Sequence, residues 1–413
     1  MRYIGIIILL VLCLTSLSLT GYMINTVKPE TASGNLETQE EINQRSNNSQ
    51  SSSTGLVYET VIADTGESVT VYPQQWATGD GTVENPWTND CIQKAYNNVP
   101  DGGTIFLRAG YYILSDVVEI TRKINIIGEG MGKTIITTAN AYGFWIIETN
   151  YVTIKNLTID GDAQTDGTLW QAIIGISNSN YALLEDIEVK NAGYYGIDIY
   201  QVNHSSFQNI YAHDNYSHGL HPGANAIGTN MYNVYRDIYA WDNGSYGFYD
   251  RGTETPPEYC YNIFDNINCW DNGLDGIGIS AQKGSVLSNS FSSGNGRHGI
   301  STGDLEDCNI HDCYTALNEE FGIYGSILVN VNLTNVIVKN NSLGMYIANG
   351  SDVAFTSCQF YDDRGTPLQT FGLYLSGTST GLSLLNCKLT PNSLGEIYNP
   401  AGAVVTVITE KRE

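Results

Sequence analysis

Positive charge is scarce in this chain of 413 residues. Only 19 Lys plus Arg face 43 Asp plus Glu, for a formal charge of −24. So acidic a surface repels phosphate backbones, which argues against nucleic-acid binding. It also opposes a simple grip on any anionic polymer, unless Ca2+ or a local Arg/Lys cluster intervenes. No Cys-x-x-Cys pair stands with a histidine, so a zinc site is disfavoured. Long apolar runs are missing after the first, Ile4 to Leu19, so no later segment is built to cross a bilayer. Helical periodicity is nearly absent too, which removes helical-repeat folds.

What is present is a glycine-centred repeat. The glycines are Gly196, Gly219, Gly247, Gly276, Gly299, Gly322, Gly344 and Gly372, at intervals of 23, 28, 29, 23, 23, 22 and 28 residues. Short apolar runs with period-2 alternation lie between them, as in Asn262-Ile263-Phe264-Asp265-Asn266-Ile267. Such a period with such strands specifies a solenoid in which each repeat is one coil. The expected class is all-β, a parallel β-helix with coils of about 22–29 residues.

Six asparagines stand four residues before a glycine: Asn215, Asn243, Asn272, Asn295, Asn318 and Asn340. Stacked coils would align them in a ladder that bonds each turn to the next. Strand alternation sends the residue after each glycine inward and the next one outward. The outward row then reads Asp198, His221, Tyr249, Gly278, Ser301, Tyr324, Tyr346 and Tyr374.

The chain divides into five stretches. Residues 1–21 read as a secretory signal or a retained N-terminal anchor, and so as a possible membrane tether. Residues 22–56 are a disordered Ser/Asn/Gln-rich linker. Residues 57–135 form the entry and cap, with a short helix from Trp87 to Tyr96 N-capped by Asn89 or Thr88. Residues 136–408 are coils, and 409–413 a tail. This organisation implies a secreted or cell-surface protein. Eight cysteines in an exported chain suggest disulfides. Yet Cys313, Cys358 and Cys387 fall in the inward row of Ile210, Ile238 and Ile267, as an apolar sulfur row would. Cys358 and Cys387, one coil apart, are the best-placed pair.

Two of the longer intervals follow Gly219 and Gly247. Their extra residues would raise adjacent loops beside the outward row. Asp198, His221 and Tyr249 stand there, with Tyr195, His218 and Arg251 close by. This is a set for proton transfer: Asp198 orients His221 as base or acid, a tyrosine serves the opposite side of a sugar, and Arg251 neutralises a substrate carboxylate. Asp250 and Glu254 would contact substrate from the loop. Tyr324, Tyr346 and Tyr374 would do so further along the row.

Two family resemblances sharpen this. Pro100 to Tyr112 and Ile124 to Gly130 resemble the N-terminal entry of the pectin-lyase-like superfamily, which implies a right-handed parallel β-helix. Tyr195-Gly196-Ile197-Asp198 resembles the start of the Tyr-Gly-Phe-Asp-Pro-His run of mannuronan C5-epimerases, with Ile199 and Tyr200 in place of the Pro and His. His213-Asp214-Asn215 and Asn295-Gly296-Arg297-His298-Gly299 are similar to that family's coils. The resemblance implies catalytic roles for Tyr195 and Asp198. Three functions follow: an epimerase or lyase on a uronic-acid-containing polysaccharide; a glycoside hydrolase pairing Asp198 with Asp250 or Asp275; and a non-catalytic glycan-binding surface protein. No cofactor is implied beyond calcium, for which the Asp214, Asp242 and Asp271 turns are the carboxylates.

Overall fold

A computed structural model describes residues 69–138, 143–161, 172–223, 230–251, 260–400 and 402–408. The signal or anchor, the linker, the whole tail at 409–413, the loop tips 224–229 and 252–259, and therefore Glu254, lie outside the described residues.

The repeat winds as the glycine spacing requires. Strands Leu183–Lys190, Ser206–His213, Val234–Trp241 and Ile263–Trp270 lie side by side in parallel register. Strands Tyr195–Tyr200, Leu220–Gly223, Phe248–Arg251 and Ile277–Ser280 do the same on a second wall. The walls belong to sheets of 20 and 14 strands. Rungs rise by about 4.8 Å. Pairing continues through residue 135, since Ile126 pairs with Ile154 and Ile136 with Ile159.

The residue after each glycine points into the lumen. Ile197, Leu220, Phe248, Ile277, Ile300, Ile323, Met345 and Leu373 are all buried in one column. Each contributes about 2 kcal/mol by leaving water. The glycines themselves answer to close approach. A Cβ at Gly219 would lie 2.5 Å from the Gly247 carbonyl oxygen and 3.1 Å from the Asn243 side-chain amide.

That amide belongs to the asparagine ladder. Asn215 donates from its backbone (3.2 Å) and its side chain (2.8 Å) to Asn243 Oδ1. Asn243 treats Asn272 alike, and Asn272 treats Asn295 alike. Asn295 and Asn318 continue the pattern. The last expected member is corrected: the rung is Asn341, not Asn340. The coil ending at Gly344 is one residue shorter after its asparagine, which shifts the rung. Asn340 instead adopts φ 59° and donates outward to Asp363 at 2.7 Å. Beyond Asn341, Gln369 and Asn392 carry the ladder on.

A second set of polar residues bends the longer strands. Asp186, Asn209, Asp237 and Asn266 hold φ between 51° and 57°. Asn209 donates to Asp186 at 2.5 Å and Asn266 to Asp237 at 2.6 Å, so amide and carboxylate alternate up the corner. Many tyrosines are spent on similar stacking. Tyr151, Tyr181, His204 and Tyr232 form one pile with ring separations of 4.8, 5.3 and 4.9 Å.

The entry helix runs Cys91–Asn98 and buries Cys91, Ile92, Ala95 and Tyr96. Neither expected cap is used. Asn89 (φ 65°) and Asp90 (φ 52°) make a left-handed approach, and Asp90 flanks the helix without a side-chain cap bond. Cys313 and Cys358 do line the lumen. The seven described cysteines are free thiols, so Cys358 and Cys387 are unbridged.

Replacing Asn243 with Ala strands the Asn215 donors and the Ala212 carbonyl that accepts from Asn243 at 3.0 Å. The expected loss is about 2–4 kcal/mol in urea unfolding, against under about 0.5 kcal/mol for Asn340→Ala. Equal losses would remove the ladder from the account.

Candidate functional site

Register brings the predicted cluster together. Asp198 pairs with His221, and Leu220 pairs with Phe248, which sets His221 beside Tyr249. Asp198 Oδ1 lies 2.9 Å from His221 Nδ1. A carboxylate there accepts the Nδ1 proton and leaves Nε2 with a free lone pair. The Tyr195 ring stacks on His221 at 4.5 Å and on His218 at 4.9 Å. Tyr249 tilts against His221 at 5.8 Å and stacks on Tyr246 at 4.3 Å.

Burial tunes these groups. Tyr195 is 3% exposed. Burial first, then Tyr194 and Asp198, push its phenol far above the usual value, while Arg251 pulls the other way. Burial likewise raises Tyr249, again opposed by Arg251. Arg251 is exposed at the rim, with Gly223 and Ser280 as strand neighbours. His218 is a different kind of histidine. Its Nδ1 accepts from the Tyr246 backbone N–H at 3.3 Å. Burial, and secondarily His221, lower its pKa to about 3. It is neutral near pH 7, a wall and a donor rather than a base.

Other expected contacts fall elsewhere. Asp250 is corrected: it points into the lumen, is 1% exposed, and burial raises its pKa far above the carboxylate range. Alternation is the reason, since Tyr249 faces out. Asp250 therefore cannot touch a substrate on the outer face. Tyr324, Tyr346 and Tyr374 stack in one outward column at 5.1 and 5.4 Å. The column begins three rungs past Tyr249, roughly 14 Å along the wall. The corner residues Asp214, Asp242 and Asp271 gather no ligand set. Among the described residues, no group of three or more His, Cys, Asp or Glu is placed to hold a metal ion.

A neighbouring cluster escaped the sequence reading. Asp275 is fully buried and takes Arg297 Nε at 2.6 Å and Nη2 at 2.7 Å. The same Nη2 donates to the Tyr246 hydroxyl at 2.6 Å. The bond to Asp275 holds the guanidinium firmly charged. The signal was the column of residues before the glycines, Tyr195, His218, Tyr246, Asp275 and His298, whose side chains meet the outward row. Asp275, being locked, is no free carboxylate for hydrolysis.

Against known proteins, the family described as Pel9A-like, right handed beta helix region, matches residues 69–327. The chain belongs to the Pel9A-like right-handed β-helix family. A general right-handed β-helix description matches residues 258–408 of this Pel9A-like chain. Two relatives from Azotobacter vinelandii are similar. Alginate lyase 7 is 27% identical over 169 residues, covering 35% of the chain and 19% of the relative. Mannuronan C5-epimerase AlgE1 is 30% identical over 164 residues, covering 34% and 12%. The chain thus spans under a fifth of either relative. Among solved structures, the A-module of A. vinelandii mannuronan C-5 epimerase AlgE6 has a TM-score of 0.53 at 17% identity, covering 83% of the chain and all of the module. The catalytic unit of an α-1,3-glucanase from Streptomyces thermodiastaticus has 0.54 at 13%, covering 84% and 68%. The Dettilon tailspike protein has 0.56 at 14%, covering 80% and 68%. Such structural likenesses speak for the fold alone.

Two buried histidines make a pH test. Burial lowers His218 to about 3 and His298 to about 4, from 6.5 in the unfolded chain. Their stabilisation is intact above about pH 6.5 and is lost as pH falls, because only the unfolded chain takes up the proton. The unfolding free energy from pH 7 to 4 should fall less steeply in His218→Phe than in the parent, by about 2–3 kcal/mol at pH 4 in urea unfolding. Parallel curves would mean that His218 is charged in the fold.

Proposed function

We propose that the protein acts on a uronic-acid-containing polysaccharide by removing the proton alpha to the sugar carboxylate, as an epimerase or lyase does. One observation carries this: the Asp198–His221 hydrogen bond at 2.9 Å, with the His221 ring stacked on Tyr195 and beside Tyr249. The similarity to alginate lyase 7 and mannuronan C5-epimerase AlgE1 supports it.

Each residue then has a task. Arg251 binds the carboxylate and stabilises the negative charge that develops on its oxygens. His221 Nε2 takes the proton from carbon, and Asp198 steadies the imidazolium that forms. Tyr195, stacked on His221 at 4.5 Å, leaves no room for a sugar between the two rings. Tyr249, tilted to His221 with ring centres 5.8 Å apart, gives a proton from the other side. Delivered to the same carbon, that proton inverts the centre. Delivered to the glycosidic oxygen as the bond to the neighbouring sugar breaks, it completes an elimination. His218, neutral, closes the cluster against water. The Tyr324, Tyr346 and Tyr374 column lies on the same wall and offers further contact to a polymer. The acidic chain meets an anionic polymer where Arg251 supplies local positive charge, since the charge of Arg297 is spent on Asp275. Export to the cell surface, read from the N-terminus, fits such a substrate.

A hydrolase reading loses its second carboxylate, because Asp250 faces the lumen and Asp275 is bound by Arg297. The test is a panel of uronic-acid and neutral glycans, with and without chelator. Expected products are an unsaturated uronate seen by ultraviolet absorbance, or an inverted uronate without chain cleavage. His221→Ala and Asp198→Asn should each lower kcat by about a hundredfold or more with the fold intact. Full activity in His221→Ala would remove this mechanism. Reducing ends without unsaturation would make the protein a hydrolase, and binding without product a surface adhesin.

A further inference from the structure

We propose that Gly223 and Gly278 are positioning residues, each leaving the space in which one ring of the reacting cluster is held flat against the wall. Gly223 serves His221 and Gly278 serves Tyr249. This rests on the reading of His221 and Tyr249 as proton-transfer groups.

Neither glycine is required by its backbone. Both lie within or beside ordinary strand, and neither has a left-handed φ. Nor does the column require it. Gly223 pairs with Tyr200 on one side and Arg251 on the other. Gly278 pairs with Tyr249 and Ser301. What each glycine meets is a ring. A Cβ at Gly223 would stand 2.7 Å from His221 Cε1 and 3.2 Å from its Nδ1. A Cβ at Gly278 would stand 2.5 Å from Tyr249 Cδ2 and 3.2 Å from Tyr246 Cδ1. These approaches are closer than non-bonded carbons tolerate.

The rings have little freedom to yield. His221 is tied through Nδ1 to Asp198 and covered by Tyr195. Tyr249 lies on Tyr246, whose hydroxyl accepts from Arg297, and Arg297 is fixed by the buried Asp275. A methyl group at either glycine therefore displaces a reacting atom rather than a loose side-chain end. Displacements of about 1 Å suffice to slow a positioned reaction by about a hundredfold. The arrangement also explains why the outward row carries a glycine at 278, between a tyrosine and a serine.

The test uses the full chain and the substrate found by the glycan panel. Gly223→Ala and Gly278→Ala should each lower kcat by about a hundredfold with KM near the parent's, while the strain of forcing a held ring aside lowers the thermal midpoint by a few degrees without unfolding the protein. In a Tyr249→Phe background, Gly278→Ala should add less than about twofold, because its effect runs through that hydroxyl. Gly365→Ala, which has no atom within 4 Å of its Cβ, is the control and should change nothing. A second readout needs no activity. With 3-fluorotyrosine at position 249, the fluorine resonance should shift in Gly278→Ala and stay put in Gly365→Ala. Unchanged kcat in both glycine variants, where His221→Ala is inactive, overturns the proposal. An unmoved fluorine resonance overturns the Gly278 half whatever His221→Ala shows. Full activity in His221→Ala with a moved resonance instead overturns only the mechanism and leaves the ring-holding role standing.

Discussion

Register between coils is the constraint on which everything else rests. A parallel solenoid has no long-range topology to fix which residues meet; each coil must be indexed against the next. Here the index is a buried amide. Asn243, Asn272 and Asn318 each spend their oxygen on the coil before them and their NH2 on coils to either side. A slip of one residue would strand several buried donors at once. The glycine beside it admits the close approach of the following coil. Together they convert a distance of 23 residues in the chain into one rung, and so place Asp198 against His221.

The fold was legible because it is written many times over. Eight glycines and a row of Ile, Leu and Phe repeat the same instruction, and errors in single coils average out. Local indexing was less legible. Asn340 and Asn341 are adjacent and chemically identical, and only a one-residue shortening before Gly344 tells which is the rung. The helix start was misread for a similar reason. Two left-handed residues, Asn89 and Asp90, lead into it, where propensity alone suggested a side-chain cap.

The site was half legible. Alternation within a strand correctly sent Asp198, His221 and Tyr249 outward, and the same alternation sends Asp250 inward. Treating residue 250 as the first of a loop obscured that. The column before the glycines was hidden more deeply. Tyr195 was expected near His221, but period-2 reasoning stops at a turn, so nothing in the pattern set Tyr246 under Tyr249. Arg297 and Asp275 are far apart in composition terms, a charged pair among many acids, until the rung brings them face to face. What the fold supplies is therefore a desolvated aromatic setting in which one imidazole, His221, is bonded to a carboxylate and a second, His218, is held neutral.

The most direct test follows the proton itself. An oligouronate labelled with deuterium at the carbon alpha to its carboxylate is incubated with the protein, and label released to water is measured beside chain cleavage. The account predicts release by the parent protein and none by His221→Ala. Cleavage with the label retained on carbon would contradict it.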